Sequence, residues 1–315
     1  MHSYIDAVAK TGVDAIKFQT HIADAESSQF EPFRVKFSYE DKSRYDYWKR
    51  MEFTMSQWKE IKSHCDNVGL EFMSSPFSIA AVEMLEEIGV KRYKIPSGEF
   101  SNKLLLNRIV DTKKDIILST GLTDLEELKE IVTSILAKGT NKVSLLQCTT
   151  KYPTKPHEVG LNIMTEYRSL FPGVDVGLSD HSGEIFPSLA AITLGASIIE
   201  CHVVFSKDLF GPDAKASLTI DQFSELVRGG HFISNMLSNP INKTEVLDVS
   251  LKNMFGKSLC VSKSLNFGDE ITLDCLESKK PAGYGINASQ YESILNKKVR
   301  RNMKKYEFLN IVDLQ

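Results

Sequence analysis

The amino-acid sequence predicts an α/β protein folded as a (β/α) barrel, and three observations lead there. Short apolar, β-rich runs alternate with amphipathic helical stretches from the first residues to about residue 240, the pattern of βα units around a parallel sheet. Most of these runs are apolar throughout rather than at alternate residues, as strands buried on both faces are. Their carboxyl ends are polar, and in barrels of this kind that face carries the chemistry.

The chain opens on a helical stretch, Tyr4–Lys10, which passes through Thr11-Gly12-Val13 into a first strand at Asp14–Gln19. Further strands are expected at Glu71–Ser75, Arg92–Ile95, Asp115–Ser119, Lys142–Cys148, Val174–Leu178 and Ile198–Val204. The closed fold has one strand more, and the opening helix has no strand ahead of it. Residues 1–240 are therefore expected to form a (β/α)8 TIM barrel lacking its first strand. Helices are expected near Trp58–Val68, Ile79–Ile88, Leu104–Asp111, Asn162–Leu170, Ile185–Leu194 and Ile220–Leu237. The clearest helix follows the fourth strand, where Leu125, Leu128, Ile131, Val132, Ile135 and Leu136 form one apolar stripe. Thr123 and Glu126 offer it a capping box, and Gly139 a left-handed stop.

After about residue 240 the texture changes. Residues 241–256, following Asn239-Pro240, read as a linker. Residues 257–315 read as a small β-rich domain: short segments at Ser258–Ser262 and Glu270–Leu273, a turn at Asn266–Asp269, and the Gly/Pro-rich Lys280-Pro281-Ala282-Gly283-Tyr284-Gly285.

Composition excludes several classes. A charged content of 25% with 42% hydrophobic residues is that of a globular protein, and a net charge of −3 offers no basic surface to nucleic acid. The longest apolar runs are too short to span a membrane, and the first residues lack a secretory signal. Five cysteines, an odd number without a C-x-x-C pair, fit a reduced, cytoplasmic compartment. Cys201, beside a candidate ligand, reads as a small buried hydrophobe.

The strand ends carry the candidate chemistry. The last two finish in Ser179-Asp180-His181 and Glu200-Cys201-His202, so two imidazoles on adjacent strands would converge on one divalent ion, with manganese, iron or zinc suited to them. His2, His21, His64, His157 and His231 fall on helices or loops, with His21 the nearest rival. Lys17 and Lys94 lie in apolar strands, where a lysine is seldom buried without a partner. They fit a Schiff-base nucleophile, a phosphate site, or pairing with a carboxylate such as Glu99. Ser75, Ser97, Ser119 and Ser179 would add hydroxyl donors, and the Ser97-Gly98 and Thr120-Gly121 turns backbone amides, which favours phosphate.

Taken in order, Ile16-Lys17-Phe18-Gln19-Thr20, Ser75-Pro76-Phe77-Ser78, Lys94-Ile95-Pro96-Ser97-Gly98-Glu99, Leu118-Ser119-Thr120-Gly121, Cys148-Thr149-Thr150-Lys151-Tyr152-Pro153-Thr154, Gly177-Leu178-Ser179-Asp180-His181 and Gly211-Pro212-Asp213 resemble the sialic acid synthases. Lys280-Pro281-Ala282-Gly283-Tyr284-Gly285-Ile286 resembles part of that family's C-terminal antifreeze-like (SAF) domain, so the likeness covers essentially the whole chain. The resemblance implies condensation of phosphoenolpyruvate with an N-acetylated hexosamine, N-acetylmannosamine or a 2,4-diacetamido sugar, to a nonulosonic acid and phosphate. It implies that His181 and His202 bind manganese, with magnesium or cobalt as alternatives. Lys17, Ser75, Lys94, Ser97, Thr150 and Ser179 would hold phosphoenolpyruvate, while Gln19, Glu99, Tyr152 and Asp213 would face the sugar. It also implies a homodimer with swapped C-terminal domains, through which Lys280 reaches the partner's site.

Three departures qualify the likeness. The family's first strand, ending in an E-I-G-x-N-H-like segment with a catalytic glutamate, has no counterpart in this sequence. Thr150 stands where many members carry asparagine, and Lys280 where they carry an arginine that contacts the acetamido group. Two alternatives follow: a catalytically impaired paralogue that binds sugar or a partner subunit, and a lysine-dependent aldolase on the same fold.

Overall fold

In the computed structural model, which describes residues 1–35, 37–139 and 142–315, the chain divides into two compact units, Met1–Ser238 and Asn239–Gln315. The first is a curled, wholly parallel sheet of seven strands in the order of the sequence: β1 (Ala15–Thr20), β2 (Glu71–Pro76), β3 (Arg92–Ile95), β4 (Asp115–Ser119), β5 (Val143–Cys148), β6 (Asp175–Asp180) and β7 (Ile199–Cys201). Among the described residues β7 and β1 do not pair, so the barrel is open between them. Helix α1 (His2–Ala9) precedes β1, and the Tyr4 hydroxyl on it donates to the Val203 carbonyl just beyond β7.

Helices α2 (Ala23–Glu26), α3 (Arg44–Met51) and α4 (Met55–Asn67) lie between β1 and β2. The later crossovers are α5 (Ile79–Ile88), α6 (Lys103–Asp111), α7 (Leu125–Ala137), α8 (Leu161–Leu170) and α9 (Phe186–Thr193), and α10 (Ile220–Ser238) closes the unit. Local chemistry sets their starts: Thr54 and Gln57 cap α4 reciprocally, Ser78 accepts from the Ala81 amide, and Asn102 from that of Leu105. The expected Thr123 cap on α7 is displaced by one residue. Asp124 accepts from the Glu127 amide, while the Thr123 hydroxyl donates to the Glu127 carboxylate. An aspartate beside the helix N-terminus gains from the dipole as a threonine does not.

The last expected strand also breaks. After Cys201 the chain leaves the sheet, the Leu218 amide bonds the His202 carbonyl at 2.8 Å, and β8 (Val203–Val204) pairs with β9 (Leu218–Thr219). His202 is thereby released from the strand at the barrel mouth. The core lies between sheet and helices, where Ile16, Phe72, Tyr93, Ile116, Leu118, Leu145, Val176 and Leu178 meet the helical stripes.

The second unit contains α11 (Val249–Phe255), capped by Asp248 within the stretch read as a linker, and an antiparallel pair, β10 (Ser258–Val261) with β11 (Leu276–Lys279). The segment expected as a strand at Glu270–Leu273 is reduced to one bridge, Glu270 with Lys298, because a 3₁₀ turn at Leu273–Cys275 interrupts it. Leu259, Val261, Ile271, Ile294, Val299 and Leu309 form its own core.

Candidate active site

Side chains alternate across each strand, so one residue in two points into the barrel. At the bottom, Met73, Ile117 and Leu146 pack with Ala15 and Ile198 into an apolar floor. Gly177 belongs to this layer, and a Cβ there would stand 2.1 Å from the Ile198 carbonyl oxygen. One step further towards the carboxyl ends, the same inward positions turn polar and become Lys17, Ser75, Lys94, Ser119, Ser179 and Glu200.

These groups share one network. Lys94, almost fully buried, donates to Ser119 Oγ at 2.8 Å and pairs with Glu200 at 3.0 Å, and Ser179 donates to Glu200 at 3.1 Å. Glu99, the carboxylate named in the sequence as a partner for the lysines, instead accepts from Asn102 at 2.8 Å, and burial pushes its own carboxyl up. Burial also pushes the Glu200 carboxyl up, but Lys94 and Lys17 outweigh it and hold the group at about 2. The Lys17 ammonium is pushed down, first by burial and then by Lys94, with Glu200 opposing. Two ammoniums and one carboxylate leave a net positive pocket, where an anion is the complementary ligand.

Ser75 Oγ and Thr150 Oγ1 are buried hydroxyls with no hydrogen-bond partner among the described residues. Native structures rarely leave such groups unsatisfied, so both are suited to a ligand. Of the two turns expected to help them, the amides of Thr120-Gly121 are already committed: Thr120 N–H bonds the Leu146 carbonyl and Gly121 N–H bonds Ser97 Oγ at 2.9 Å. Gly121 keeps the cradle open instead, since a Cβ there would fall 2.4 Å from Thr150 Oγ1 and 3.0 Å from Ser97 Oγ.

Above this layer the two histidine rings lie 5.2 Å apart between centroids. Burial, followed by the neighbouring His202, pushes His181 down to about 3, so its imidazole is neutral and one ring nitrogen keeps an available lone pair. Among the described residues no group of three His, Cys, Asp or Glu gathers in metal-binding geometry. The two imidazoles suit a divalent ion as a two-nitrogen set. Cys148 Sγ lies 3.9 Å from His181 Nδ1 and accepts from Ser97 at 3.6 Å. Tyr152 leans on both rings, at 4.3 Å from His181 and 5.9 Å from His202, and burial raises its phenol.

The rim brings together Tyr152 and Asp213 through Arg34, a residue that no motif singles out. Its guanidinium lies 4.3 Å over the Tyr152 ring and reaches Asp213 at 2.7 Å. Glu200 was the other omission; its signal was its position two residues before His202, on the same inward face. Gln19 stands opposite Ser75 in register at the end of β1. Lys280 belongs to the second unit, where its ammonium lies 5.0 Å over the Phe255 ring.

Comparison with known proteins shows which family the chain resembles. The N,N'-diacetyllegionaminic acid synthase of Campylobacter jejuni is 34% identical over 310 residues, covering 97% of this chain and 92% of the relative. The pseudaminic acid synthase of the same organism is 31% identical over 315 residues, covering 99% and 91%. Among solved structures, an N-acetylneuraminic acid synthetase from Leptospira borgpetersenii superposes with a TM-score of 0.69 at 26% identity, covering 81% of this chain and 86% of that one. The NeuB family pattern matches residues 4–242, the whole of the sheet and its helices. By that match, and by relatives aligned along almost its full length, the chain belongs to the NeuB family.

Proposed function

We propose that this protein condenses phosphoenolpyruvate with an open-chain N-acetylated amino sugar, giving a nonulosonic acid and inorganic phosphate. The observation that carries the reading is the pair of inward lysines around Glu200, ringed by hydroxyls and lying under two histidine rings 5.2 Å apart. Legionaminic and pseudaminic acid synthases among the relatives support the reaction class.

In this reading Lys17 and Lys94 neutralise the carboxylate and phosphate of phosphoenolpyruvate, and Ser75, Ser97, Ser119, Thr150 and Ser179 orient them by hydrogen bonds. Glu200 pairs with Lys94 and holds it aligned while the enol carbon attacks. Gln19, Glu99, Tyr152 and Asp213 hold the sugar at the rim, so its aldehyde enters from above. His181 and His202 would hold manganese, or magnesium or cobalt, which supplies Lewis-acid polarisation of a carbonyl. The cationic layer then stabilises charge as water adds and phosphate leaves.

The second unit is read as an antifreeze-like SAF domain that covers the partner's barrel in a cytoplasmic homodimer, with Lys280 reaching the partner's sugar. The test is phosphate release with phosphoenolpyruvate, manganese and a panel of N-acetylated hexosamines; silence with every sugar would refute the proposal. A lysine-dependent aldolase is favoured by one observation, the burial-lowered Lys17. Borohydride trapping with pyruvate labels that enzyme covalently and leaves a synthase unlabelled.

A further inference from the structure

His21 reads in sequence as an ordinary histidine just past the first strand, but its surroundings are those of a fixed part. The ring is 9% exposed and lies in a parallel sandwich, 3.7 Å from the Trp48 ring and 4.4 Å from that of Phe77, both tilted by no more than 20°. Its Nδ1 meets Glu26 Oε1 at 2.6 Å, and the other oxygen of Glu26 accepts from the Ile22 amide at 3.2 Å. Its second nitrogen, Nε2, meets the side-chain amide oxygen, Oε1, of Gln19 at 3.3 Å. The slot is itself anchored, since Trp48 donates its indole N–H to Glu31 and carries the Arg44 guanidinium 4.0 Å over its ring.

From this we infer that His21 is a positioning residue, which fixes the plane of the Gln19 amide at the barrel rim so that one defined edge of it meets the amino sugar. The inference rests on the synthase reading, in which Gln19 faces the sugar. Its physical basis is that an exposed glutamine at a strand end samples several rotamers, and immobilising it beforehand removes that entropy from binding. The Glu26 carboxylate holds the ring through Nδ1 and the flanking rings hold its plane, so Nε2 points in one fixed direction at the Gln19 amide. Glu99, a second residue proposed to face the sugar, feels the same pair, its carboxyl being lowered by His21 and raised by Glu26.

The test is a double-mutant cycle with a spectroscopic arm. His21→Phe keeps a flat ring between Trp48 and Phe77 but removes both of its hydrogen bonds. It is expected to raise KM for the amino sugar about tenfold, the worth of one well-placed hydrogen bond, with kcat and KM for phosphoenolpyruvate within about twofold. Gln19→Ala behaves alike, and the double variant is no worse than Gln19→Ala alone. In heteronuclear NMR of the wild-type protein, the Gln19 side-chain amide signals, assigned by their loss in Gln19→Ala, move in His21→Phe. Single effects that multiply, or an unchanged sugar KM with unmoved Gln19 signals, overturn the inference. If His21→Phe does not fold, Glu26→Gln, which leaves the ring but removes its charged anchor, must move the same signals. A wild-type protein that releases no phosphate with any amino sugar defeats the synthase reading alone, and the Gln19 signals still decide the positioning.

Discussion

Lys94 and Glu200 pair at 3.0 Å on the inner face of the barrel, although 106 residues separate them in sequence. Breaking such a pair from one side leaves a buried charge uncompensated, at a cost of about 3–5 kcal/mol. Glu200→Leu is therefore expected to lower the melting temperature markedly, while Glu200→Gln keeps the shape and lowers phosphate release by about a hundredfold. The sign of the pH effect follows from the depressed carboxyl. Its contribution to stability is complete above the unfolded value of roughly 4.3 and is lost as pH falls through about 2. Acid titration of the Glu200→Gln melting temperature should accordingly be flatter than that of the wild type over this window. A parallel pair of curves would contradict the assignment.

Ser75 and Thr150 should respond in opposite directions to two measurements. Their hydroxyls have no partner among the described residues, so Ser75→Ala and Thr150→Val are expected to leave the ligand-free protein as stable or up to about 1 kcal/mol more stable. The same changes should raise KM for phosphoenolpyruvate about tenfold each. Thermal melts and steady-state kinetics separate the two; a stability loss without a KM change would mean the hydroxyls serve the fold.

Removal of divalent metal by a chelator is expected to stop phosphate release, and manganese, magnesium or cobalt to restore it. His181→Ala and His202→Ala should each abolish the manganese electron paramagnetic resonance signature of the bound ion while leaving the secondary structure intact. Undiminished binding in both variants would remove these rings from the site.

Arg34 and Asp213 are each substantially solvent-exposed, and exposed pairs contribute about 0–1 kcal/mol. Arg34→Ala is thus expected to leave the melting temperature unchanged and to raise KM for the amino sugar about tenfold through the loosened Tyr152 and Asp213. An unchanged sugar KM would reduce Arg34 to a surface contact.

Much of this was legible in the sequence because burial on both faces writes a strand as a continuous apolar run. Arg92–Ile95 and Asp115–Ser119 fall where that pattern puts them, and His181 and His202 stand together because parallel neighbours place their carboxyl ends side by side. Gly139 also adopts the left-handed conformation expected of a helix stop. Arg34 was illegible, since residues 27–43 form a long connection whose course depends on tertiary contacts with Asp213 and Tyr152 rather than on periodicity. Glu200 was hidden for a different reason: a carboxylate inside an apolar strand declares its role only once register brings Lys94 to it. The break after Cys201 depended likewise on a distant strand, Leu218–Thr219.

The bond between Arg34 and Asp213 spans 179 positions of the chain. On the proposed reading, in which Asp213 faces the sugar, exchanging the stretch around either residue alone would part Arg34 from the partner it has here.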